Sequence, residues 1–103
     1  MKRGDIRWYT FRPPDKKRPV VILTRNSVIG YLREVTIAPI TSTVREIASE
    51  VRLDQGDGMP GECAVNADHI QAVPKDRIGK LITALAPEKL VEIGNAVRFA
   101  PDP

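Results

Sequence analysis

Arg18 and the run Thr41-Ser42-Thr43 are the residues of this chain whose types, if brought together, could hold a phosphate. Arg18 closes the basic stretch Lys16-Lys17-Arg18 and stands before Pro19, where the chain enters the apolar run Val20-Val21-Ile22-Leu23. A guanidinium fixed at such an entrance is a permanently charged fork, able to bond an anion bidentately. The hydroxyls that follow Pro39-Ile40 are neutral donors for the same anion. On pattern alone a second reading stays open, because arginines before strands and hydroxyl-rich loops are also ordinary surface.

The remaining reactive types offer less. His69, the single histidine, suits acid–base work because imidazole titrates near neutrality. No Ser, Cys or Asp set surrounds it at recognisable spacing, so a structural or surface role is expected. Cys63, the single cysteine, lies in the short apolar stretch Cys63-Ala64-Val65 and reads as a small core residue. One cysteine excludes an internal disulfide, and one histidine beside it excludes an all-Cys/His zinc centre. The carboxylates Glu46, Glu50, Asp54, Asp57, Glu62 and Asp68 lack metal-ligand spacing and are expected to be solvated. No metal and no cofactor is expected.

These residues must be positioned by short strands. Ile6 to Phe11 is rich in aromatic and branched residues after a Gly4-Asp5 turn, and at most one of Trp8 and Tyr9 can point inward. Arg12-Pro13-Pro14-Asp15-Lys16-Lys17 is a loop stopped by two prolines. Val20 to Leu23 reads as a strand buried on both faces, with Pro19 tolerated at its start. Further strands are expected at Val35 to Ala38, Glu50 to Leu53, Cys63 to Val65, His69 to Val73 and Leu81 to Leu85. The stretch from Gln55 to Gly61 is a turn-rich loop, and Asp76 to Gly79 a single helical turn. One helix opens at Pro87 and runs to about Phe99, with Leu90, Ile93 and Val97 forming an apolar stripe. Five or six short strands with a terminal helix indicate a mainly β (α+β) fold, a small curved barrel or sheet capped by helix.

The chain has 103 residues, one domain's worth, with 42% hydrophobic and 28% charged residues, a globular balance. Its longest aliphatic run is four residues, far short of the roughly 20 that span a bilayer, and no apolar stretch follows the charged first residues as in a secretory signal. A cytoplasmic protein with no membrane segment is expected. The net charge of +3 hides an asymmetry: residues 1–33 carry nine basic and two acidic side chains, a balance of +7, and the rest balances to −4. One basic surface facing a polyanion or an acidic partner follows, with a solvated face as the plain alternative.

The order of several short motifs resembles a known family. Arg3-Gly4-Asp5-Ile6, then Arg18-Pro19-Val20-Val21-Ile22-Leu23 with Thr24-Arg25-Asn26, then Ala38-Pro39-Ile40-Thr41-Ser42, Glu50-Val51-Arg52-Leu53 and Gly61 to Ile70 are similar, in order and spacing, to MazF/PemK-type toxins. These are the endoribonuclease halves of bacterial type II toxin–antitoxin pairs. The resemblance runs from Lys2 to about Phe99. It implies an SH3-like curved β-barrel with short helices and a C-terminal helix, a homodimer, and metal-independent cleavage of single-stranded RNA. It also implies that Arg18 and Thr41 carry the chemistry and that an acidic, MazE-like antitoxin lies along the basic groove. Arg12, Lys16, Lys17, Arg25 and Ser42 are the expected RNA contacts, with Trp8 or Tyr9 available for base stacking. One departure concerns the first loop, where members often carry a "GSEQ"-like segment with an acid; here the loop's carboxylate is Asp15. The alternative function is a non-catalytic toxin on the same fold, acting by protein contact as CcdB-type gyrase inhibitors do.

Overall fold

A computed structural model describes residues 1–12 and 16–100. Among the described residues seven strands form: β1 (Asp5–Thr10), β2 (Lys17–Ile22), β3 (Glu34–Thr41), β4 (Glu50–Leu53), β5 (Cys63–Asn66), β6 (Gln71–Pro74) and β7 (Leu81–Ala84). A four-residue helix, α1 (Asn26–Ile29), follows β2, and α2 (Pro87–Phe99) closes the chain. The strands are all antiparallel, in the order β4-β5-β3-β2-β1-β7, with β6 also paired to β3. This is a curled half-barrel; each of the seven overlaps one of the stretches read as extended, although the expected barrel counts only five or six strands.

The curl originates in β3. Along one edge its residues Glu34 to Ile37 pair with β6, and the next turn of the same edge, Ile40 and Thr41, pairs with β5. The opposite edge pairs with β2 through Ile37, Ala38 and Pro39. A strand that changes partner along its length must bend, and the sheet bends with it. Sequence reading ends this strand at Ala38, because a proline interrupts a ladder. The observed strand continues through Pro39 to Thr41, so Thr41 is held by a sheet and not by a loop.

Both faces of the bent sheet are packed. Val20, Val21 and Ile22 are fully buried, Val21 in one apolar cluster and its two neighbours in another, as period-two alternation requires. The larger cluster joins Ile6, Ala38, Leu53 and Val65 to Ile93 and Ala96 of α2, with Leu90 and Val97 against its margin. The stripe expected on the helix is thus the face that is covered. The second cluster holds Tyr9, Val20, Ile22, Val35, Ile37 and Val73. Tyr9 is the inward residue of its pair, and Trp8 is half-buried with the Lys17 ammonium 5.5 Å from its ring centroid.

Arg3-Gly4-Asp5 has a structural role. Gly4 adopts φ +92°, and a side chain there would meet Leu90 Cδ2 at 2.8 Å. Its N–H donates to Ile22 O at 2.8 Å, and its carbonyl accepts from Leu85 N–H at 3.0 Å, which ties β2 to the segment entering α2. Buried Asp5 accepts the Lys2 N–H at 2.9 Å, closing the turn. Two local features escape pattern reading: α1, which has no side-chain cap, and the turn Ala67–His69, from which β6 starts two residues later than expected.

Candidate active site

Arg18 and Thr41 meet at the open end of the β2–β3 ladder. The last paired residues are Val20 and Pro39. Continuing that register by two residues along each strand, which preserves the face, brings Arg18 opposite Thr41. Arg18 is itself fixed on the other side by pairing with Tyr9 of β1, and Thr41 by pairing with Ala64 of β5. Each residue is thus held by a paired strand on its far side, and the space both line lies beyond the last β2–β3 pair. A pocket of about 360 Å³ fills that space, lined by Phe11, Arg18, Pro39, Ile40, Thr41, Asn66, His69 and Gln71.

The described lining has the chemistry to receive an anion. Among the described lining residues Arg18 alone carries a permanent charge, and none is a carboxylate. The Thr41 hydroxyl oxygen accepts the Thr43 N–H at 3.1 Å, which uses a lone pair and leaves the O–H to donate outward. Asn66 Oδ1 accepts the Asp68 N–H at 3.0 Å, capping the turn Ala67–His69 that carries His69 to the rim. Phe11 stands edge-on to Tyr9, ring centroids 4.8 Å apart, and forms an apolar wall. A neighbouring hollow of about 560 Å³ shares Phe11 and Gln71 and adds Arg12 and Arg77, so the positive surface continues beyond the pocket.

The other expected RNA contacts are placed unevenly. Lys16 and Lys17 are exposed beside Arg18, and Ser42 is exposed just past the end of β3, outside the pocket lining. Arg25 flanks α1 and lines a different hollow, with Arg3 and Arg98. Asp15 lies outside the described residues. His69 is exposed, as expected of a surface histidine, yet it lines the same pocket as Arg18 and Thr41. Sequence reasoning misses Phe11, Asn66 and Gln71 as lining residues altogether. Their signal is absent from local pattern, since only the β3–β5 and β3–β6 registers bring residues 66–71 back to Thr41.

The remaining candidates are structural. Cys63 is buried, and burial pushes its thiol above the usual range, reinforced by the carboxylates of Asp57, Asp54 and Glu62. It stays a protonated core residue. The carboxylates expected to be solvated are largely engaged. Glu50, with its side chain 1% exposed, meets Arg45 at 2.8 Å; Glu46 and Glu62 share Arg52; Asp68 accepts the Ser49 hydroxyl at 2.7 Å. Asp54 and Asp57 cap their own turn. Among the described residues no three His, Cys, Asp or Glu side chains gather as metal ligands. No described helix is long and apolar enough to cross a membrane.

Residues 2–100 match the family model described as the PemK-like, MazF-like toxin of type II toxin–antitoxin systems. The chain is 43% identical over 86 residues to endoribonuclease MazF3 of Mycobacterium tuberculosis, an alignment covering 80% of this chain and 84% of that one. It is 36% identical over 101 residues to the probable endoribonuclease MazF5 of the same organism, covering 97% and 92%. Among solved structures, the M. tuberculosis toxin MazF-mt6 superposes with a TM-score of 0.86 at 37% identity, covering 95% of this chain and 96% of that one. A mycobacterial endoribonuclease in complex with its cognate antitoxin gives a TM-score of 0.86 at 25% identity, covering 98% and 94%.

Proposed function

This chain belongs to the PemK-like, MazF-like toxins of type II toxin–antitoxin systems, and from that membership we propose that it is a sequence-specific endoribonuclease cutting single-stranded RNA. The relatives named endoribonuclease support this reading over a gyrase-type contact toxin. Arg18 and Thr41, lining one pocket with no carboxylate among its described residues, are the observation that carries it. A scissile phosphate seated there has its neighbouring 2′-hydroxyl as nucleophile; attack in line yields a 2′,3′-cyclic phosphate and a 5′-hydroxyl. Arg18 holds and neutralises the phosphoryl oxygens, whose charge grows in the transition state. The Thr41 hydroxyl donates to one of them, and both are preorganised because their strands are paired on the far side.

The substrate strand continues over Arg12, Lys16 and Lys17, which supply backbone charge, with Phe11 and Trp8 as stacking surfaces. Arg25 contacts RNA only where a strand extends to the separate hollow it lines. The working form is a cytoplasmic homodimer held in check by an acidic antitoxin segment laid in the same groove. The test is incubation of the purified protein with single-stranded RNA in the absence of added metal, with mass spectrometry of the ends. Cyclic-phosphate and 5′-hydroxyl ends are expected; intact RNA under conditions where the protein is folded refutes the enzyme reading.

Three results follow from this assignment. EDTA leaves the cleavage rate unchanged; loss of cleavage on chelation with recovery on Mg²⁺ would return the carboxylates to the mechanism. Thr41→Ala slows cleavage by no more than the ~10² of one lost donor, less than loss of the charged one, because a neutral group is removed. A Thr41→Ala protein as fast as the parent would take the hydroxyl out of the site. Replacing Lys16 and Lys17 together weakens binding of a non-cleavable RNA and shallows its salt dependence by roughly 1.4 units, at ~0.7 per phosphate contact on single strands. The cleavage-site preference stays the same, because phosphate contacts position the strand without reading bases. An unchanged salt slope would make these lysines plain solvated surface.

A further inference from the structure

Arg18 and Thr41 leave the reaction without a proton acceptor. Arginine keeps its charge at any working pH, and a threonine hydroxyl is too weak a base to take a proton from a ribose hydroxyl. The pocket lining holds two ionisable residues among those described, Arg18 and His69. We propose that His69 is the general base that takes the 2′-hydroxyl proton, an inference that rests on the endoribonuclease reading above.

The placement of His69 supports the role. It ends the turn Ala67–His69, whose start is capped by Asn66 and whose middle residue, Asp68, is pinned by the Ser49 hydroxyl. Its backbone carbonyl accepts from the Gln71 side chain at 3.4 Å, so the segment is tied on both sides while the imidazole remains open to the pocket. Among the described residues the charged groups on its pocket and its own turn are Arg18 from β2 and Asp68, and the Asp68 carboxylate is already engaged by Ser49. Of the other elements packed on this turn, β3 contributes Thr41 to the pocket, and α2 contributes Ile93 and Ala96 to the cluster that holds Ala67. Imidazole as a class takes up and releases protons near neutral pH, which suits a base in this position.

The step balances without metal or cofactor. The 2′-O–H proton passes to an imidazole nitrogen, and the electron pair left on the 2′-oxygen forms the bond to phosphorus. The P–O5′ bond breaks with its pair on the 5′-oxygen, which takes a proton from water. The resulting hydroxide recovers the proton from the imidazolium.

His69→Gln keeps the size and hydrogen-bonding capacity of the side chain at an exposed position, so the fold is preserved. Cleavage by the parent should fall on the acid side as the base becomes protonated. In His69→Gln, kcat should drop by ~10²–10⁴ with KM nearly unchanged, and the acid limb of the pH–rate profile should vanish. A residue that merely positions the RNA would lower the rate at every pH and leave the limb in place, which overturns the proposal. So does a variant that cleaves at the parent rate. A second substrate with sulfur in place of the bridging 5′-oxygen separates base from acid, since a thiolate leaves without protonation. The His69→Gln defect should persist on that substrate, and its disappearance would overturn the assignment as base. A folded parent that cuts no RNA refutes the endoribonuclease reading itself, and the comparison with His69→Gln does not then arise.

Discussion

Arg18→Ala is expected to reduce RNA cleavage by at least ~10²-fold, and by more than the loss of any neutral donor in the pocket. The residue is exposed at the open end of the β2–β3 ladder and contributes nothing to either apolar cluster. Its removal therefore leaves far-ultraviolet dichroism and the unfolding midpoint close to those of the parent. What is lost is the charge that meets the phosphoryl oxygens, in a pocket whose other described lining residues carry no permanent charge to replace it. Arg18→Lys restores charge but not the planar fork, so it should recover only part of the rate. Single-turnover cleavage of a defined RNA measures all three proteins. A folded Arg18→Ala variant within threefold of the parent would remove Arg18 from the mechanism.

Ile37→Ala is the largest expected loss of stability. Ile37 is fully buried in the cluster with Tyr9, Val20, Ile22, Val35 and Val73. It is also the position at which β3 is paired on both edges, with Ile22 of β2 and Gln71 of β6. Truncating a buried isoleucine removes its transfer free energy and leaves a cavity the paired strands cannot close, a cost of about 2–5 kcal/mol. A domain of this size has about 5–15 kcal/mol in all, so the midpoint of thermal unfolding should fall by roughly 10 °C or more. Urea unfolding of Ile37→Ala against the parent measures the difference. A change below about 0.5 kcal/mol would mean that this face of β3 is not sealed.

Features of this fold are legible in the sequence to the extent that their physical cause is local. The helix from Pro87 to Phe99 is legible because its causes lie within it: a proline suited to the first position and a stripe at helical spacing. The burial of Val20, Val21 and Ile22 is legible for the same reason, as a branched run too apolar to face water. Pro39 misleads, because a missing N–H argues against a strand interior, and the cost is borne here by pairing on both sides of it. Arg18 and Thr41 were readable as chemistry-bearing types and by their resemblance to a family. Their meeting was not, since nothing local says that Val20 faces Pro39.

His69 marks the boundary most plainly. Its sequence neighbours, Asn66-Ala67-Asp68, read as a polar stretch before a surface histidine, and His69 is exposed, while the capped turn they form is found only in the structure. That the exposure opens onto the pocket of Arg18 and Thr41 depends on β3 changing partner from β6 to β5 midway along its length. Residue type, alternation, turn chemistry and charge distribution are properties of a few adjacent residues, so the sequence alone determined the strands, the terminal helix, the basic first third and the reactive candidates. Register between strands 20 to 50 residues apart is a property of the packed core, where a slip of one residue would turn every apolar side chain outward. The tertiary structure therefore decided which of those candidates share a site.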